Sequence, residues 1–375
     1  MKIKLSFNSG KAHPGQTCDI QIGSGITKHL GKWVANSPSK RAFIIADAKL
    51  KSARTKVRSA LLSAGWEVHE IPVKAGENLK DIESVYPLYG DLLKAKADRN
   101  SVLFALGGGS VGDAAGFVAS TYLRGIDWVG IPTTLLAQVD SSVGGKTAIN
   151  HSTGKNLIGT FHQPKLVICD TDFLSTLSAR EVVSGLGETV KYGITFDPKF
   201  FTYLVKHHAQ FLALDPKVLT QAIHKSLSWK ARKVAHDEFD RKGVREVLNF
   251  GHTFGHALES FTKYENFQHG EALIWGMRFA LALSVVRGKL KAQECAHIEL
   301  FLRSLKTPPL PKALNAEKLT RLMSKDKKSR SGKIHFVLLE KLGKTTSDGD
   351  VSPKDIKQAL SMLRNSTEAN TGAKR

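Results

Sequence analysis

The sequence has 375 residues, of which 41% are hydrophobic and 24% charged, and its formal net charge is +21. This length exceeds one typical core and predicts two domains, while the balanced composition excludes disordered and fibrous proteins. The sequence contains no apolar run of membrane-spanning length, and its first fifteen residues, MKIKLSFNSGKAHPG, lack the apolar block of a secretory signal. We therefore expect a cytoplasmic protein that does not bind membranes.

The cysteines and the charge limit the kinds of site. Cys18, Cys169 and Cys295 lack the spacing of a disulfide framework or a thiolate zinc site, so a metal would need imidazole and carboxylate ligands. A strongly basic chain fits nucleic acid, an anionic surface or acidic small molecules. Lysine and arginine are spread along the chain, with one dense run at 325–333. This spread favours an ordinary basic surface, and we expect no nucleic-acid groove.

The first half of the chain alternates short apolar runs with helix-like stretches. The runs RAFIIAD, SVLFALGGG, WVGIPTT and KLVICD predict strands, and KSARTKVRSALLSAG and NLKDIESVYPLYGDLLKAKA predict helices between them. Such alternation is typical of a mostly parallel sheet. We therefore predict an α/β domain over residues 1–180.

Long amphipathic segments dominate the second half. They include PKFFTYLVKHHAQFLAL, PKVLTQAIHKSLSWKARKVAHDE and HGEALIWGMRFALALSVVRGKL. A weak strand signal returns at KIHFVLLEKLG, and a last helix is expected in SPKDIKQALSML with Ser352 as its N-cap. These patterns predict an all-α domain over residues 181–364, followed by a frayed tail at 365–375.

A glycine-rich turn follows the predicted strand SVLFALG. Gly107, Gly109 and Gly112 form a GxGxxG pattern between a strand and a helix, where missing side chains let backbone amides reach a pyrophosphate. The pattern predicts a dinucleotide site, and the alternative is a tight turn that needs glycine for backbone reasons. The carboxylate expected about 20 residues later for the ribose is missing. Asp47, at the end of RAFIIAD, is the substitute that we predict.

The stretch from residue 130 to 164 is unusually polar and glycine-rich. Its polar members include Thr133, Thr134, Asp140, Lys146, Lys155 and Asn156. Charged groups among glycines predict a backbone that folds closely around a polyanionic ligand, with lysines as donors to phosphate or carboxylate. A solvated surface loop is the alternative, although long irregular loops are uncommon unless they bind something.

Three histidines and a carboxylate predict a metal site. His252 and His256, in LNFGHTFGHALE, are spaced i, i+4 and so share one helix face. His269 begins the next apolar segment, and Glu188 lies in GLGETVKYG. Two histidines and one carboxylate leave an open position on a tetrahedral zinc, as in catalytic sites. Spacing does not decide which histidines bind; the spared one could exchange protons, and the alternative is that they are core histidines.

More groups suited to an anionic substrate occur around these motifs. Lys191 follows Glu188 by one turn, and Lys230, Arg245 and Asn249 precede the His252 helix. Their side chains can donate hydrogen bonds to phosphate or carboxylate oxygens. The alternative for each is a solvated helix face.

The motifs together resemble those of the 3-dehydroquinate synthase family. The resemblance runs in order through IIAD, AGENLK, GGGSVGDAAGFVAS, YLRG, IPTTLLAQVDSSVGGKTAIN, GKNLIGTFHQP, FLSTL, GETVKYG, LNFGHTFGHALE and HGEA to DKK at 326–328. It covers most of the chain. It implies an N-terminal α/β domain that binds NAD, a helical C-terminal domain that carries the metal ligands, and a homodimer.

The resemblance also implies roles for individual residues. Glu188, His252 and His269 would hold Zn²⁺ or Co²⁺, and His256 would belong to a proton relay. The residues around NAD would be Asp47, Glu77, Lys80, Gly108, Gly109, Asp113, Thr133, Thr134, Lys146, Phe173, Thr176 and Leu177, with Lys155 between NAD and the substrate. The substrate contacts would be Arg124, Asp140, Lys146, Asn156, Lys191, Lys230, Arg245, Asn249 and one of Lys327 or Lys328.

The implied activity is the second step of the shikimate pathway. It converts 3-deoxy-D-arabino-heptulosonate 7-phosphate to 3-dehydroquinate and phosphate by transient oxidation with NAD, phosphate elimination, re-reduction and aldol closure. NAD would therefore be used catalytically. The chain departs from the family pattern in DEFDRKGVREVLNFGH, which is one residue longer than usual before Arg245, and in Gly187, where alanine is commoner.

Three other functions compete with this reading. Related cyclases make valiolone- or inosose-type rings, but Lys230, Asn249, His256 and the DKK segment favour dehydroquinate. A metal-dependent polyol dehydrogenase would release NADH instead of phosphate. A nucleic-acid-binding protein, or a scaffold without chemistry, would lack the complete polar set, and the sequence contains no nucleic-acid-binding module.

Overall fold

The computed structural model describes residues 1–7, 17–324 and 334–368. The chain divides into two compact units, Met1–Leu177 with Ala213–Arg241, and Ser178–Leu212 with Lys242–Arg375. The first unit contains a largely parallel sheet with helices, and the second is mainly helical, as the sequence predicts. The second unit also contains one two-stranded sheet, Phe336–Lys341 with Lys344–Asp348.

The strands and helices follow one another along both units. The strands are β1 Lys2–Ser6, β2 Thr17–Gly23, β3 Arg41–Asp47, β4 Glu67–Val73, β5 Val102–Gly107, β6 Asp127–Pro132, β7 Lys146–His151, β8 Gly154–Phe161, β9 Leu166–Asp170, β10 Phe336–Lys341 and β11 Lys344–Asp348. The helices are α1 Leu30–Trp33, α2 Lys51–Leu62, α3 Ile82–Lys94, α4 Gly109–Thr121, α5 Ala179–Phe196, α6 Pro198–Lys206, α7 His208–Leu212, α8 Pro216–His236, α9 His252–Phe261, α10 His269–Val286, α11 Ala292–Ser304, α12 Ala316–Ser324 and α13 Pro353–Glu368.

The sheet of the first unit has the order β1-β2-β9-β6-β5-β3-β4. All its neighbouring strands are parallel except β1 and β2. The four apolar runs predicted as strands are β3, β5, β6 and β9. They are apolar almost throughout because helices cover both faces of a parallel sheet.

Side chains alternate between the two faces of each strand and so build two cores. On β3, Phe43 and Ile45 pack with residues of α3 and α4, whereas Ala42, Ile44 and Ala46 pack with residues of α1 and α2. These side chains are fully buried. The period of two in a strand therefore fixes the sheet between two helical layers.

The order of the strands reverses between β3 and β5. The chain continues from β3 to β4 on one side, and from β5 to β6 on the other. Ligands of open α/β sheets bind at such a point, outside the carboxyl ends of the strands. Asp47 and Gly107 end β3 and β5, so both predicted nucleotide-binding elements lie at this edge.

Helix α8 belongs to the first unit, although the sequence analysis placed it in the domain 181–364. It contacts β1, β2 and the π-helical segment Ala137–Ser141. Asp215 caps its first turn by accepting hydrogen bonds from the backbone amides of Lys217 and Val218. An amphipathic pattern shows that a helix has a buried face but not which sheet or helix covers it.

Helix α10 is the centre of the second unit. It contacts α5, α9, α11, α13 and β10, and nearly all its residues are buried. A helix that is apolar on all sides is typical of a buried core helix. The predicted strand in KIHFVLLEKLG is confirmed as β10, and β11, which was not predicted, pairs with it. In the described ranges, no helix is long and apolar enough to cross a membrane.

Candidate metal and dinucleotide sites

Glu188, His252 and His269 converge in the second unit from three different helices. His252 Nε2 and His269 Nε2 lie 3.2 Å and 3.3 Å from Glu188 Oε1. One donor atom from each residue lies within 4.8 Å of the others. Ligands about 2.0–2.1 Å from a tetrahedral zinc ion are about 3.3 Å apart, so the donor set has the spacing of a zinc site.

The second nitrogen of each imidazole faces an acceptor. His252 Nδ1 lies 3.4 Å from the carbonyl oxygen of Phe250, and His269 Nδ1 lies 3.5 Å from Glu259 Oε2. An Nδ1–H that donates to these oxygens leaves the electron pair of Nε2 available to a cation bound beside Glu188. The sequence analysis missed Glu259, although it follows His252 by seven residues and therefore shares its helix face.

The charges at this cluster favour a cation. Burial works against the charged form of Glu188, but Lys191, His252 and His269 outweigh it and hold the pKa of this carboxyl well below its usual range. Burial also favours neutral His269, but hydrogen bonds with Glu188 and Glu259 outweigh it and raise its pKa to about 10. The two carboxylates thus stabilise a positive charge between them, which a proton or a metal ion can supply.

Close backbone contacts hold the three helices together. A Cβ atom added at Gly270 would lie 1.8 Å from the carbonyl oxygen of Ser184, and one added at Gly187 would lie 2.6 Å from that of Gly270. Gly187 precedes Glu188, and Gly270 follows His269. The close crossing of α5 and α10 therefore brings these two donors together, and Gly187 has a packing role that the sequence analysis did not foresee.

A second pair of glycines brings α9 against α10. A Cβ atom at Gly276 would lie 1.9 Å from the carbonyl oxygen of Gly251. Gly251 precedes His252 and has a φ of 81°, which glycine adopts without strain. The glycine-rich entry of LNFGHTFGHALE is thus a helix contact that places His252.

Two other predicted side chains of the second unit, His256 and Lys191, lie beside the cluster. The His256 ring lies 5.4 Å from the His252 ring and 5.9 Å from the His269 ring. Lys191 is fully buried and its ammonium forms an ion pair with Glu188 Oε2. Arg245 is also buried, and Asn249 ends the short 3₁₀ helix that precedes Gly251. Lys327 and Lys328 lie outside the described residues.

A cleft opens at the glycine-rich turn of the first unit. Its lining includes Gly107, Gly108, Gly109, Gly112, Asp113, Pro132, Ser141, Gly145 and Lys146. A Cβ atom at Gly112 would meet no atom within 4 Å, whereas one at Gly108 would lie 3.0 Å from Thr134 Cγ2. The cleft therefore extends over the first turn of α4, where backbone amides and the helix dipole favour a phosphate.

Five predicted residues form one polar network beside this cleft. Lys80 Nζ lies 2.7 Å from Asp113 Oδ2 and also donates to Asn156 Oδ1. Glu77 lies 3.7 Å from Lys80 Nζ and 3.8 Å from Lys155 Nζ. Burial raises the pKa of Asp113, and the neighbouring Lys80 opposes this shift.

One member of the network, Asn150, was not predicted, and neither was a nearby contact of Ser110. Asn150 Nδ2 donates to Glu77 Oε1 at 3.0 Å, and its Oδ1 accepts from the Asn156 amide at 3.1 Å. The Ser110 hydroxyl accepts from the Gly76 amide at 3.3 Å. Asn150 lies inside the polar stretch, so only its composition could have indicated a role.

The remaining predicted nucleotide contacts also follow strand ends. The Thr133 amide donates to the Gly107 carbonyl at 2.9 Å, directly after β6. Asp47 accepts from the Lys49 amide at 3.0 Å after β3. Phe173, Thr176 and Leu177 lie in or next to the 3₁₀ helix Thr171–Thr176, which follows β9. Phe173 is buried, Thr176 is exposed and Leu177 is partly buried. Because these strands are parallel, all of these residues lie at the edge of the sheet where the carboxyl ends of the strands meet.

The polar stretch is not a long irregular loop, because it contains the end of β6, the π-helical segment Ala137–Ser141 and a hairpin. Its strands β7 and β8 are antiparallel, and Lys146 begins β7. Lys146 Nζ lies 2.5 Å from Asp240 Oδ2, and Lys230 Nζ lies 2.9 Å from Asp140 Oδ1. Two predicted anion donors therefore already have carboxylate partners in the first unit.

Arg124 is separated from the other predicted residues of the first unit. It is exposed, has a φ of 70°, and follows the C-terminal end of α4. A helix of 13 residues is about 20 Å long, so Arg124 lies at the opposite sheet edge from the glycine-rich turn. The structure does not bring it together with that turn.

Comparisons with known proteins identify the family of this chain. Family models described as 3-dehydroquinate synthase N-terminal and C-terminal match residues 70–184 and 185–329. The 3-dehydroquinate synthases of Endomicrobium trichonymphae and Desulforamulus reducens are 44% and 41% identical to this chain, over 94% and 91% of it and 96% of each relative.

A solved structure has the same fold. It is the 2-epi-5-epi-valiolone synthase ValA from Streptomyces hygroscopicus, with NAD⁺ and Zn²⁺ bound. Its TM-score is 0.86 at 26% identity, and the match covers 95% of this chain and 99% of that one. Two family models and relatives that extend over nearly the whole chain lead to one conclusion: this chain belongs to the 3-dehydroquinate synthase family.

Proposed function

We propose that this protein is a 3-dehydroquinate synthase, an NAD- and divalent-metal-dependent lyase. It converts 3-deoxy-D-arabino-heptulosonate 7-phosphate to 3-dehydroquinate and phosphate without net oxidation. The observation that carries the proposal is the convergence of Glu188, His252 and His269 on one point. This donor set occurs in a chain that is 41–44% identical to 3-dehydroquinate synthases over more than nine-tenths of its length.

The proposed metal ligands are Glu188 Oε1, His252 Nε2 and His269 Nε2. Zn²⁺ or Co²⁺ bound there supplies a Lewis acid for a substrate oxygen, since three protein ligands leave a coordination position open. Lys191 neutralises part of the Glu188 charge from the other carboxylate oxygen. His256 lies beside the three proposed ligands but is not one of them, and we assign it to proton exchange with the substrate.

The proposed NAD site is the cleft over the glycine-rich turn. NAD supplies a hydride acceptor that the reaction regenerates. The amides at the start of α4 suit its pyrophosphate, and Asp47, at the end of β3, suits its ribose hydroxyls. Thr133, Thr134 and the network of Glu77, Lys80 and Asp113 would hold the rest of the dinucleotide.

Lysine, arginine and amide side chains would bind the substrate phosphate and carboxylate. Lys146 and Lys230 are the candidates in the first unit, and Lys191, Arg245 and Asn249 those in the second. Lys146 is half exposed and borders the cleft, so its ammonium can exchange Asp240 for a substrate anion. The role of Arg124 as a substrate contact stays a prediction.

The competing activities differ in measurable products. Identity to 3-dehydroquinate synthases is well above the 26% identity to the valiolone synthase, which favours the dehydroquinate reaction. A polyol dehydrogenase would accumulate NADH.

A homodimer in the cytoplasm also stays part of the proposal, on the basis of the family.

One assay tests the function. The metal-loaded protein is incubated with the heptulosonate phosphate and a trace of NAD, and free phosphate, 3-dehydroquinate and NADH are followed together. We expect phosphate and 3-dehydroquinate in equal amounts, in excess over NAD, without NADH accumulation. His269→Ala should lose both metal and turnover. NADH formation without phosphate release would contradict the proposal.

A further inference from the structure

Glu259 lies on the same face of α9 as the predicted metal ligand His252. Residues 252, 256 and 259 are spaced i, i+4 and i+7, so one helix face presents all three side chains to the start of α10. Glu259 has a largely buried carboxylate, with 13% of its side chain exposed. Its Oε2 lies 3.5 Å from His269 Nδ1.

The two imidazoles of the cluster differ in their second partner. His252 Nδ1 faces a neutral backbone carbonyl, that of Phe250, at 3.4 Å. His269 lies between two carboxylates, with Glu188 3.3 Å from Nε2 and Glu259 3.5 Å from Nδ1. A carboxylate that accepts from one ring nitrogen fixes the tautomer and makes the other nitrogen a stronger donor.

The greater exposure of His269 makes its second contact important for the orientation of its ring. His269 is the most exposed of the three donors, at 30% of its side chain, against 1% for Glu188 and 11% for His252. The packing of α5 and α9 restrains the two buried side chains. The His269 ring has less packing around it, so its orientation depends more on what Nδ1 contacts.

We propose that Glu259 is a positioning residue of the metal centre: it orients the His269 ring with Nε2 toward Glu188 and strengthens that nitrogen as a ligand. This inference rests on the proposed function, because it assumes a cation at Glu188, His252 and His269. Glu259 itself does not contact the cation. It acts through His269.

Metal titration of the full-length, metal-free protein tests the role. The variants are Glu259→Gln, which keeps the side-chain shape but removes the charge, Glu259→Asp, which restores a carboxylate, and Glu259→Ala. The control is Glu265→Gln, which makes the same charge change at an exposed position just after α9. Affinities for Zn²⁺ and Co²⁺ are measured against a chromophoric chelator, and the visible spectrum of bound Co²⁺ is recorded at saturation.

We expect Glu259→Gln and Glu259→Ala to bind both cations about 10- to 100-fold more weakly than wild type, with an altered cobalt spectrum. Glu259→Asp should recover part of the affinity, and Glu265→Gln should match wild type. Near-ultraviolet circular dichroism of each metal-free variant establishes that the fold is retained.

Three other results would overturn the inference in different ways. Wild-type affinity and spectrum in a folded Glu259→Gln protein would remove the positioning role and leave the proposed function intact. Two bound cations per chain in wild type but one in Glu259→Gln would make Glu259 a ligand itself, together with His256 and His269. A wild-type protein that binds no cation would overturn both the inference and the proposed function.

Discussion

Gly270 and Ser184 are in backbone contact where α10 crosses α5. The Gly270 amide donates to the Ser184 hydroxyl at 3.0 Å, and a Cβ atom at residue 270 would lie 1.8 Å from the Ser184 carbonyl oxygen. Glu188 follows Ser184 by one turn, and His269 is adjacent to Gly270. The distance between two predicted metal ligands is therefore set by the absence of one side chain.

Gly270→Ala should separate α5 from α10, because a real Cβ atom does not approach a backbone oxygen to 1.8 Å. We expect a loss of about 1–3 kcal/mol in the free energy of unfolding, as for overpacked cores, and weaker Zn²⁺ binding. Denaturant unfolding and chelator competition measure the two effects. Gly90→Ala is the control, since a Cβ atom there meets nothing within 4 Å. Wild-type metal affinity in Gly270→Ala would contradict this account of the cluster.

Metal binding should strengthen as pH rises. Burial favours neutral His269, but Glu188 and Glu259 outweigh it and raise its pKa to about 10 in the absence of metal. A cation must therefore displace a proton below that pH. The pKa of Glu188 is well below the usual range, so Glu188 stays ionised throughout. We expect the affinity for Co²⁺ to increase about tenfold per pH unit from 7 to 9. An affinity that is independent of pH would exclude His269 as a ligand.

The raised pKa of His269 also predicts how the stability of the metal-free protein depends on pH. The pKa of His269 in the folded chain lies above its ordinary value of 6.5, so protonated His269 favours the folded state. This contribution is complete below pH 6.5 and is lost as pH rises through 10. The melting temperature of the metal-free protein should therefore fall over this range, and His269→Ala should show a smaller fall. An equal fall in melting temperature with pH for the two proteins would refute the assignment of this pH dependence to His269.

Gly112→Ala should weaken NAD binding without harming the fold. A Cβ atom at residue 112 meets no protein atom within 4 Å, and alanine favours a helix more than glycine does. The added methyl group would project into the cleft proposed for the dinucleotide. We expect the dissociation constant of NAD, measured by calorimetry, to rise roughly tenfold or more, with stability unchanged or higher. Unaltered NAD affinity would place the dinucleotide elsewhere.

Lys146→Ala should weaken substrate capture while the fold stays intact. The ion pair of Lys146 with Asp240 is largely exposed, and such pairs contribute about 0–1 kcal/mol to stability. A lost charge-assisted contact with the substrate should raise KM about 10- to 100-fold. Lys165→Ala is the matched control, since Lys165 forms a similarly exposed pair with Asp127 at 3.5 Å. A wild-type KM for Lys146→Ala would place this lysine outside the substrate site.

Much of the first unit could be predicted because its signals are local. The runs that became β3, β5, β6 and β9 are short, apolar and bounded by turn residues, and the glycines after β5 mark a strand-to-helix turn. The pairing of β3 with β5, which the structure shows, then places Asp47 beside this turn. The partners of Lys146 could not be predicted in the same way, because Asp240 follows it by 94 residues.

The domain assignment of α8 shows the limit of reasoning in chain order. Its pattern predicts an amphipathic helix, and the structure has one at Pro216–His236. The amphipathic pattern does not predict that the buried face of α8 packs on β1, β2 and the segment Ala137–Ser141. Glu259 was missed for a related reason: its spacing places it on the same helix face as His252, but only the fold shows that this face packs against His269.

The amino-acid sequence by itself determined which residue types could hold a cation, which helix carries His252 and His256 on one face, and where a phosphate could meet a glycine-rich turn. These are properties of helical periodicity and local backbone freedom. Only the tertiary structure decided that Glu188 and His269, 81 residues apart, meet at 3.3 Å and that Glu259 stands behind His269. The physical reason is that such meetings depend on helix crossings, which glycine contacts between distant segments set.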